Sequence, residues 1–250
     1  MTVVASRKFT SYGKEVCEML IKGLAGQPVV IVSGLALGID SIAHRAAIDT
    51  GLKTVAIPGS SLDEASIYPS SHLTLARNIL ESGGALISPF PHGTCGMTWM
   101  FPFRNRIMAG ISHATLVIEA NIKSGTLITS KHATEFKRDV FTVPGSIFSQ
   151  QSEGPHQLIR LGATPISSVA NLREALGFPD DVVDDKSEAP MYLQDLSDIE
   201  RLIINIIATP RTIDDIVQEL DISATQANIA ITTLEMKGVV SRVGSHFRRN

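Results

Sequence analysis

The chain has 250 residues, 44% of them hydrophobic and 19% charged, enough apolar material for one large domain and a small one. Its two cysteines, Cys17 and Cys95, are too few and too scattered for a disulfide framework or a metal cluster, and no apolar run reaches the ~18–20 residues of a membrane span. The net charge of −3 speaks against a nucleic-acid partner only until it is divided by segment. Residues 1–176 carry 15 Lys and Arg against 12 Asp and Glu, residues 177–194 carry 1 against 5, and residues 195–250 carry 6 against 8.

Thr2–Ala5 reads as a strand from the start, with no signal peptide ahead of it, so a cytoplasmic protein with no domain before this strand is expected. Further strands are predicted at Pro28–Ser33, Lys53–Pro58, Ala85–Ser88, His113–Glu119, Asp139–Val143 and Thr164–Ser167. Near-continuous runs such as Val29-Val30-Ile31-Val32 and Leu116-Val117-Ile118 predict burial on both faces, as in a parallel sheet covered by helices. Between strands, Ile39, Ile42, Ala43, Ala46 and Ala47 share one helical face, as do Leu127, Ile128, Ala133 and Phe136. This βαβ alternation predicts a doubly wound, mostly parallel Rossmann-like α/β domain over 1–176, with ligands at the carboxyl ends of its strands. Residues 177–195 read as an acidic linker holding Pro179 and Pro190. Helices at Leu196–Ala208, Ile213–Leu220 and Ala224–Lys237, followed by a hairpin around Gly244-Ser245, predict a winged-helix domain over 196–250.

Three segments at the ligand edge carry chemistry. Ser33-Gly34-Leu35-Ala36-Leu37-Gly38-Ile39-Asp40 leads into a helix; its glycines admit close backbone approach and its amides can hold an anion, or they serve helix–strand packing alone. It is neither a dinucleotide fingerprint nor a Walker loop. Lys123-Ser124-Gly125-Thr126 opens a helix after the strand ending at Glu119, either as a second anion site or as a simple cap. Phe101-Pro102-Phe103-Arg104-Asn105-Arg106 sets two arginines and an amide beside Trp99, Phe101 and Phe103, in an irregular pattern. Arginine forks grip phosphate and exposed aromatics stack on bases, although the aromatics could be core and Arg104 could pair with an acid such as Glu119. Arg7, just past the first strand, reaches the same edge. Four such segments on one edge suit a polymer of phosphates. No catalytic residue, metal site or cofactor is expected: the seven histidines lack ligand spacing, His44 reads as a packing or capping residue, and Cys95 has no identifiable base.

These segments resemble the DprA/Smf (DNA processing protein A) family. The matching stretches are Ser33-Gly34-Leu35 to Gly38-Ile39-Asp40-Ser41-Ile42-Ala43-His44, Ile67-Tyr68-Pro69-Ser70, Gly83-Gly84-Ala85-Leu86-Ile87-Ser88 and Phe101-Pro102 with Arg104-Asn105-Arg106-Ile107. Ser124-Gly125-Thr126-Leu127-Ile128-Thr129, Val143-Pro144-Gly145-Ser146 and Gly154 through Gly162-Ala163 complete the series, in order over about 2–176. The resemblance implies a protein that binds single-stranded DNA without hydrolysing it, forms a homodimer, and loads a RecA-type recombinase on DNA taken up in natural transformation. It implies Arg7 as the arginine after the first strand, Phe101 as the stacking aromatic, and Ser33, Gly34, Arg104, Arg106, Lys123 and Ser124 as phosphate-facing groups. The full set of candidate DNA-binding residues adds Gly38, Asn105, Gly125 and Thr126. Ala5 and Leu37 depart from the family pattern, which has glycine and often a basic residue there, and the small helical domain that commonly precedes the first strand is missing.

The winged helix reads as a protein-contact module, because its candidate recognition helix holds Glu235 and a single cation, Lys237. DNA contact through the wing (Arg242, Arg248, Arg249) is the lesser expectation. The rival reading is a Rossmann-like nucleotide or sugar-phosphate hydrolase of the lysine-decarboxylase-like type, whose Pro-Gly-Gly-x-Gly-Thr signature Pro144-Gly145-Ser146 does not match. A winged-helix transcription regulator with an α/β sensor domain would need base-reading side chains that this helix lacks.

Overall fold

A computed structural model describes residues 1–178, 196–207, 211–237, 239–243 and 246–249, the side chains of Val243, Arg248 and Arg249 excepted. It divides into two compact units, Met1–Asp180 and Asp181–Asn250. Most of the expected linker, and the Gly244-Ser245 turn of the wing, lie outside the described residues.

The first unit is a seven-stranded parallel sheet, β1 (Thr2–Val4), β2 (Val30–Ser33), β3 (Lys53–Ala56), β4 (Ala85–Leu86), β5 (Ala114–Val117), β6 (Asp139–Thr142) and β7 (Thr164–Pro165), in the order β4-β3-β2-β1-β5-β6-β7. Every pairing is parallel. All seven stand where the apolar runs predicted them. Successive residues of β1 face opposite ways, and each face has its own core. Val3, Ile31, Leu116 and Phe141 pack under α1 (Ser11–Lys22) and α2 (Ile39–Asp49) with Cys17, Leu20, Ile42 and Ala46. Val4, Val32 and Val117 pack under α4 (Met100–Ile111), α5 (Thr126–Glu135) and α6 (Glu153–Arg160) with Met108 and Leu158. Two further helices, α3 (Leu73–Glu81) and α7 (Val169–Ala175), complete the layers. The chain winds from β1 outward to β4, returns through α4 to β5, and continues to β7, so the winding direction reverses beside β1. Crevices at such switch points are where open α/β sheets bind ligands.

One sequence expectation fails here. Residues 99–106 are not irregular: Phe101 to Arg106 lie in α4. Pro102 sits in its first turn, where a missing N–H removes no intrahelical bond, so it does not break the helix.

The second unit is a winged helix of α8 (Asp198–Ile206), α9 (Ile213–Leu220), α10 (Ala224–Met236) and the antiparallel pair β8 (Val240–Val243) and β9 (His246–Arg249). Its boundaries follow from reciprocal caps: Ser197 with Glu200, Thr212 with Asp215 and Ser223 with Gln226 each satisfy free amides at a helix start. Ile203, Ile216, Ala227, Ile231, Leu234 and Phe247 form the core.

Candidate nucleic-acid interface

The site grows from the carboxyl ends of β1, β2 and β5. After β2 the chain turns through Gly34 and Leu35, the latter at φ 56°, and through Gly38 at φ 92° before entering α2. A Cβ on Gly38 would lie 3.0 Å from the carbonyl oxygen of Arg7, so glycine lets this turn lean against the segment after β1. A small cleft results, lined by Arg7, Gly34, Ala36, Leu37, Tyr68, Pro69 and Phe101. The Arg7 guanidinium lies 5.1 Å over the Phe101 ring, which is tilted against Tyr68 at 5.7 Å. Gly59 lies under Phe101, where an added Cβ would come 2.5 Å from the ring. Arg7 is exposed and Phe101 half-buried, so a cation and a π-surface share one opening.

Arg104 departs from its expected role. Its side chain is 4% exposed and donates to the carbonyls of Gly34 and Ile57, while its Nε donates to Asn105 Oδ1 at 3.0 Å. Helical geometry turns it inward, one turn below Phe101. Its partner in charge is the buried Asp40 rather than Glu119. Glu119 instead accepts from Thr10 N (3.0 Å) and Thr10 Oγ1 (2.6 Å) ahead of α1. Burial lowers the Arg104 pKa to about 10, Asp40 supports its charge, and Arg7 opposes it. Arg104 therefore stays charged at neutral pH, with Asp40 as its counter-charge, and braces the cleft from beneath without reaching a phosphate itself.

The Ser33–Asp40 turn is also partly occupied from within. Gly34 N and Ala36 N donate to Asp40 Oδ2 at 3.1 and 3.4 Å, and Ser33 Oγ donates to Val3 O at 2.7 Å. The amides expected to cradle an external anion hold an internal carboxylate, whose pKa burial raises against the pull of Arg104. A Cβ on Gly34 would meet the Arg104 guanidinium at 2.0 Å, so this glycine is required for packing.

The Lys123 turn opens α5 beside the cleft, because β5 neighbours β1. Lys123 and Gly125 are exposed, whereas Thr126 is buried. Ser124 Oγ accepts from Thr126 N at 3.2 Å and donates to Thr126 Oγ1 at 2.9 Å; the N-cap itself is Gly125, without a side-chain cap bond, so Ser124 braces the turn from one residue ahead of the cap and Lys123 stays exposed. Arg106 is exposed but lies 5.5 Å over Phe136, at the end of α5, away from the cleft. Trp99 and Phe103 gather on Phe90, at 5.9 and 6.0 Å, so the helix separates them from Phe101. Tyr68 and Gly59 were not assigned to the site by sequence reasoning; the Ile67-Tyr68-Pro69-Ser70 match was the one signal that could have placed Tyr68 there.

His44 packs rather than binds. Thr54 Oγ1 donates to Ile31 O (2.8 Å), so it accepts from His44 Nδ1 (2.7 Å) and leaves Nε2 a bare, buried, unpartnered acceptor. Burial, followed by the charge of Arg104, depresses its pKa from 6.5 to about 3. A group with a depressed native pKa stabilises the fold above its unfolded value and loses that contribution as pH falls toward the native one. Unfolding free energy is therefore expected to drop between pH 6.5 and 5 by at most about 1.4 kcal/mol per pH unit from this residue. Urea titrations at stepped pH should show a shallower slope in His44→Asn, and an unchanged slope would clear His44 of the effect.

In the winged helix, α10 exposes Thr225, Asn228, Ile229, Thr232 and Met236, and Lys237 at its end reaches Glu200 at 3.3 Å. Arg242 lies 5.6 Å over Phe247. Among the described residues no group of three His, Cys, Asp or Glu could hold a metal ion, and no helix is long and apolar enough to cross a membrane.

A Rossmann-like module with a basic, aromatic cleft at its switch point, joined to a winged helix, defines the class. The chain belongs to the DNA recombination-mediator protein A family, whose model matches residues 1–177, and residues 187–245 match the DprA winged helix domain. It is 35% identical to Protein Smf of Escherichia coli, over all of this chain and 67% of that one. It is 41% identical to DNA processing protein DprA of Streptococcus pneumoniae, over 67% of this chain and 58% of that one. The crystal structure of DprA from Streptococcus pneumoniae superposes with a TM-score of 0.63 and 39% identity, over 69% of this chain and 60% of that one. A structure of DprA from Helicobacter pylori, described for its single-stranded DNA binding mode, superposes with a TM-score of 0.63 and 28% identity, over 70% and 78% of the two chains. The chain thus spans about three fifths to two thirds of these curated relatives. The molybdenum cofactor binding protein of Rippkaea orientalis, with a TM-score of 0.50 and 18% identity over 70% and 93% of the two chains, shares the fold alone.

Proposed function

We propose that this chain is a non-catalytic single-strand DNA-binding protein that presents the strand to a RecA-type recombinase. The observation that carries the reading is the Arg7–Phe101 pair, a guanidinium 5.1 Å over a half-buried ring at the switch point. A phosphate meets the arginine while the neighbouring base stacks on the ring, and Lys123, one strand over, takes the next phosphate. Ser33, Gly34 and Gly38 shape this cleft, Arg104 and Asn105 brace it from behind, Ser124, Gly125 and Thr126 present Lys123, and Arg106 is left on the flank. The edge carboxylates Asp40 and Glu119 are engaged in internal hydrogen bonds, which supports a binding role over acid–base chemistry. The Helicobacter relative's described binding mode supports the ligand, and the family's description supports the recombinase. By the same family reading the protein works in the cytoplasm as a homodimer, on DNA acquired in natural transformation. The winged helix, whose exposed α10 surface carries Glu235 and no cation within the helix, serves a protein contact.

The test is fluorescence anisotropy with a labelled poly-dT oligonucleotide over a salt series, competed by blunt duplex and by mononucleotides. Wild type is expected to bind with a salt dependence that Arg7→Ala and Lys123→Ala each lower by about 0.7 in the slope of log K against log salt. Displacement by a mononucleotide would instead favour a small phosphorylated substrate.

A further inference from the structure

We propose that Phe148 is a second base-stacking platform for the single strand, at the end of the carboxyl edge away from the Arg7–Phe101 cleft. The inference rests on the single-strand reading above and adds a contact to it. Phe148 is 93% exposed and its neighbour Ile147 79%, so two large apolar side chains forgo the burial they ordinarily gain.

The loop that carries them is anchored. Phe148 N donates to Ser146 Oγ at 3.2 Å and Ser149 N to Ser146 O at 3.0 Å. Behind the tip, Tyr12 Oη donates to Pro144 O at 2.7 Å, and His156 Nε2 lies 3.0 Å from Gly145 O. The ring is therefore presented on a braced turn that follows β6. That turn is tied to the one after β5: Ala120 N donates to Gln151 O and Gly154 N to Ala120 O, both at 2.8 Å. Lys123 belongs to this same β5 turn. Along the edge the order is thus the cleft at β2 and β1, Lys123 at β5, and Phe148 at β6.

From β2 to β6 is three strand spacings, about 14 Å at ~4.8 Å each. Even at the compact duplex rise of ~3.4 Å per base, no more than about four nucleotides bridge that gap. A strand anchored in the cleft and crossing Lys123 thus brings a base to the Phe148 ring. The surroundings favour a base over a protein partner. Ser146, Ser149, Gln150 and Gln151 flank the ring, whereas a stable protein interface needs about 800 Å² per partner with an apolar centre. The Phe148 ring, with Ile147 beside it, offers an apolar surface about the size of one base face, and stacking tolerates any sequence.

The experiment compares wild type with Phe148→Ala on labelled dT12 and on dT2 as competitor, with light scattering for molar mass. Because Trp99 is the chain's single tryptophan, the double variant Trp99→Phe/Phe148→Trp reports stacking at this position by fluorescence. Phe148→Ala is expected to weaken dT12 binding about tenfold at unchanged mass and leave competition by dT2 unchanged, while dT12 alone quenches the indole fluorescence of the double variant. Wild-type binding with an unaltered Phe148→Ala affinity overturns this inference alone. A loss that tracks a fall in molar mass overturns it in favour of a contact between copies. No wild-type binding of dT12 overturns the single-strand reading, and this inference with it.

Discussion

Arg104→Ala is expected to destabilise the α/β unit by about 3–5 kcal/mol, the cost of leaving a buried charge without its counterpart. The substitution strips two carbonyls, those of Gly34 and Ile57, of a charged donor and leaves Asp40 buried beside no cation. It also opens space behind Gly34, whose Cα lies against the guanidinium. Urea unfolding near pH 7 checks the prediction, and the midpoint should fall with little change in m. Because burial already raises the Asp40 pKa, the variant is expected to recover part of the loss as pH is lowered and Asp40 takes up a proton. Single-strand affinity measured on the folded fraction should fall less than stability does. If Arg104 gripped phosphate directly, the order would be reversed: affinity and salt dependence would drop while the unfolding midpoint stayed put.

Phe101→Ala is expected to weaken single-strand binding by about 1–3 kcal/mol, roughly five- to 150-fold in Kd, through the loss of one stacked base. The ring also holds Arg7 in place through a cation–π contact, so the salt dependence should soften at the same time. Phe101→Leu keeps volume over Gly59 but removes the π-face; it should retain most of the stability and lose most of the affinity. Equal affinity in Phe101→Leu and wild type, measured by anisotropy on poly-dT, would show that the ring contributes bulk and no stacking. Phe103→Ala, on the side of α4 that faces Phe90, serves as the matched control and is expected to leave affinity unchanged.

The strands, the doubly wound class and the winged helix were legible because each depends on local pattern. A parallel strand buried on both faces needs a run of apolar residues, as at Val29–Val32, and a helix start needs a cap such as Ser223 with Gln226. The first residues of α4 misled because Pro102 and a dense set of aromatics mimic a loop, while helical periodicity emerges only once Arg104 is counted as an inward position beside Met108. No residue type announces that an arginine is buried.

By itself, the sequence determined which segments gather at the ligand edge, since in a parallel βαβ alternation every turn that leaves a strand for a helix lies at the carboxyl edge, whatever the strand order. Arg7, the Ser33–Gly38 turn and the Lys123 turn all arrive there for that reason. What only the tertiary structure decided is the division of labour among them. Arg104 and the amides of Gly34 and Ala36 carry the same chemistry as phosphate ligands, yet Arg104 donates to the carbonyls of Gly34 and Ile57 and the two amides donate to Asp40, all inside the fold. Arg7, Phe101 and Tyr68 remain open to solvent around the cleft. The physical reason is that a guanidinium or an amide recognises a carboxylate inside the chain as readily as a phosphate outside it, and only three-dimensional proximity selects between them.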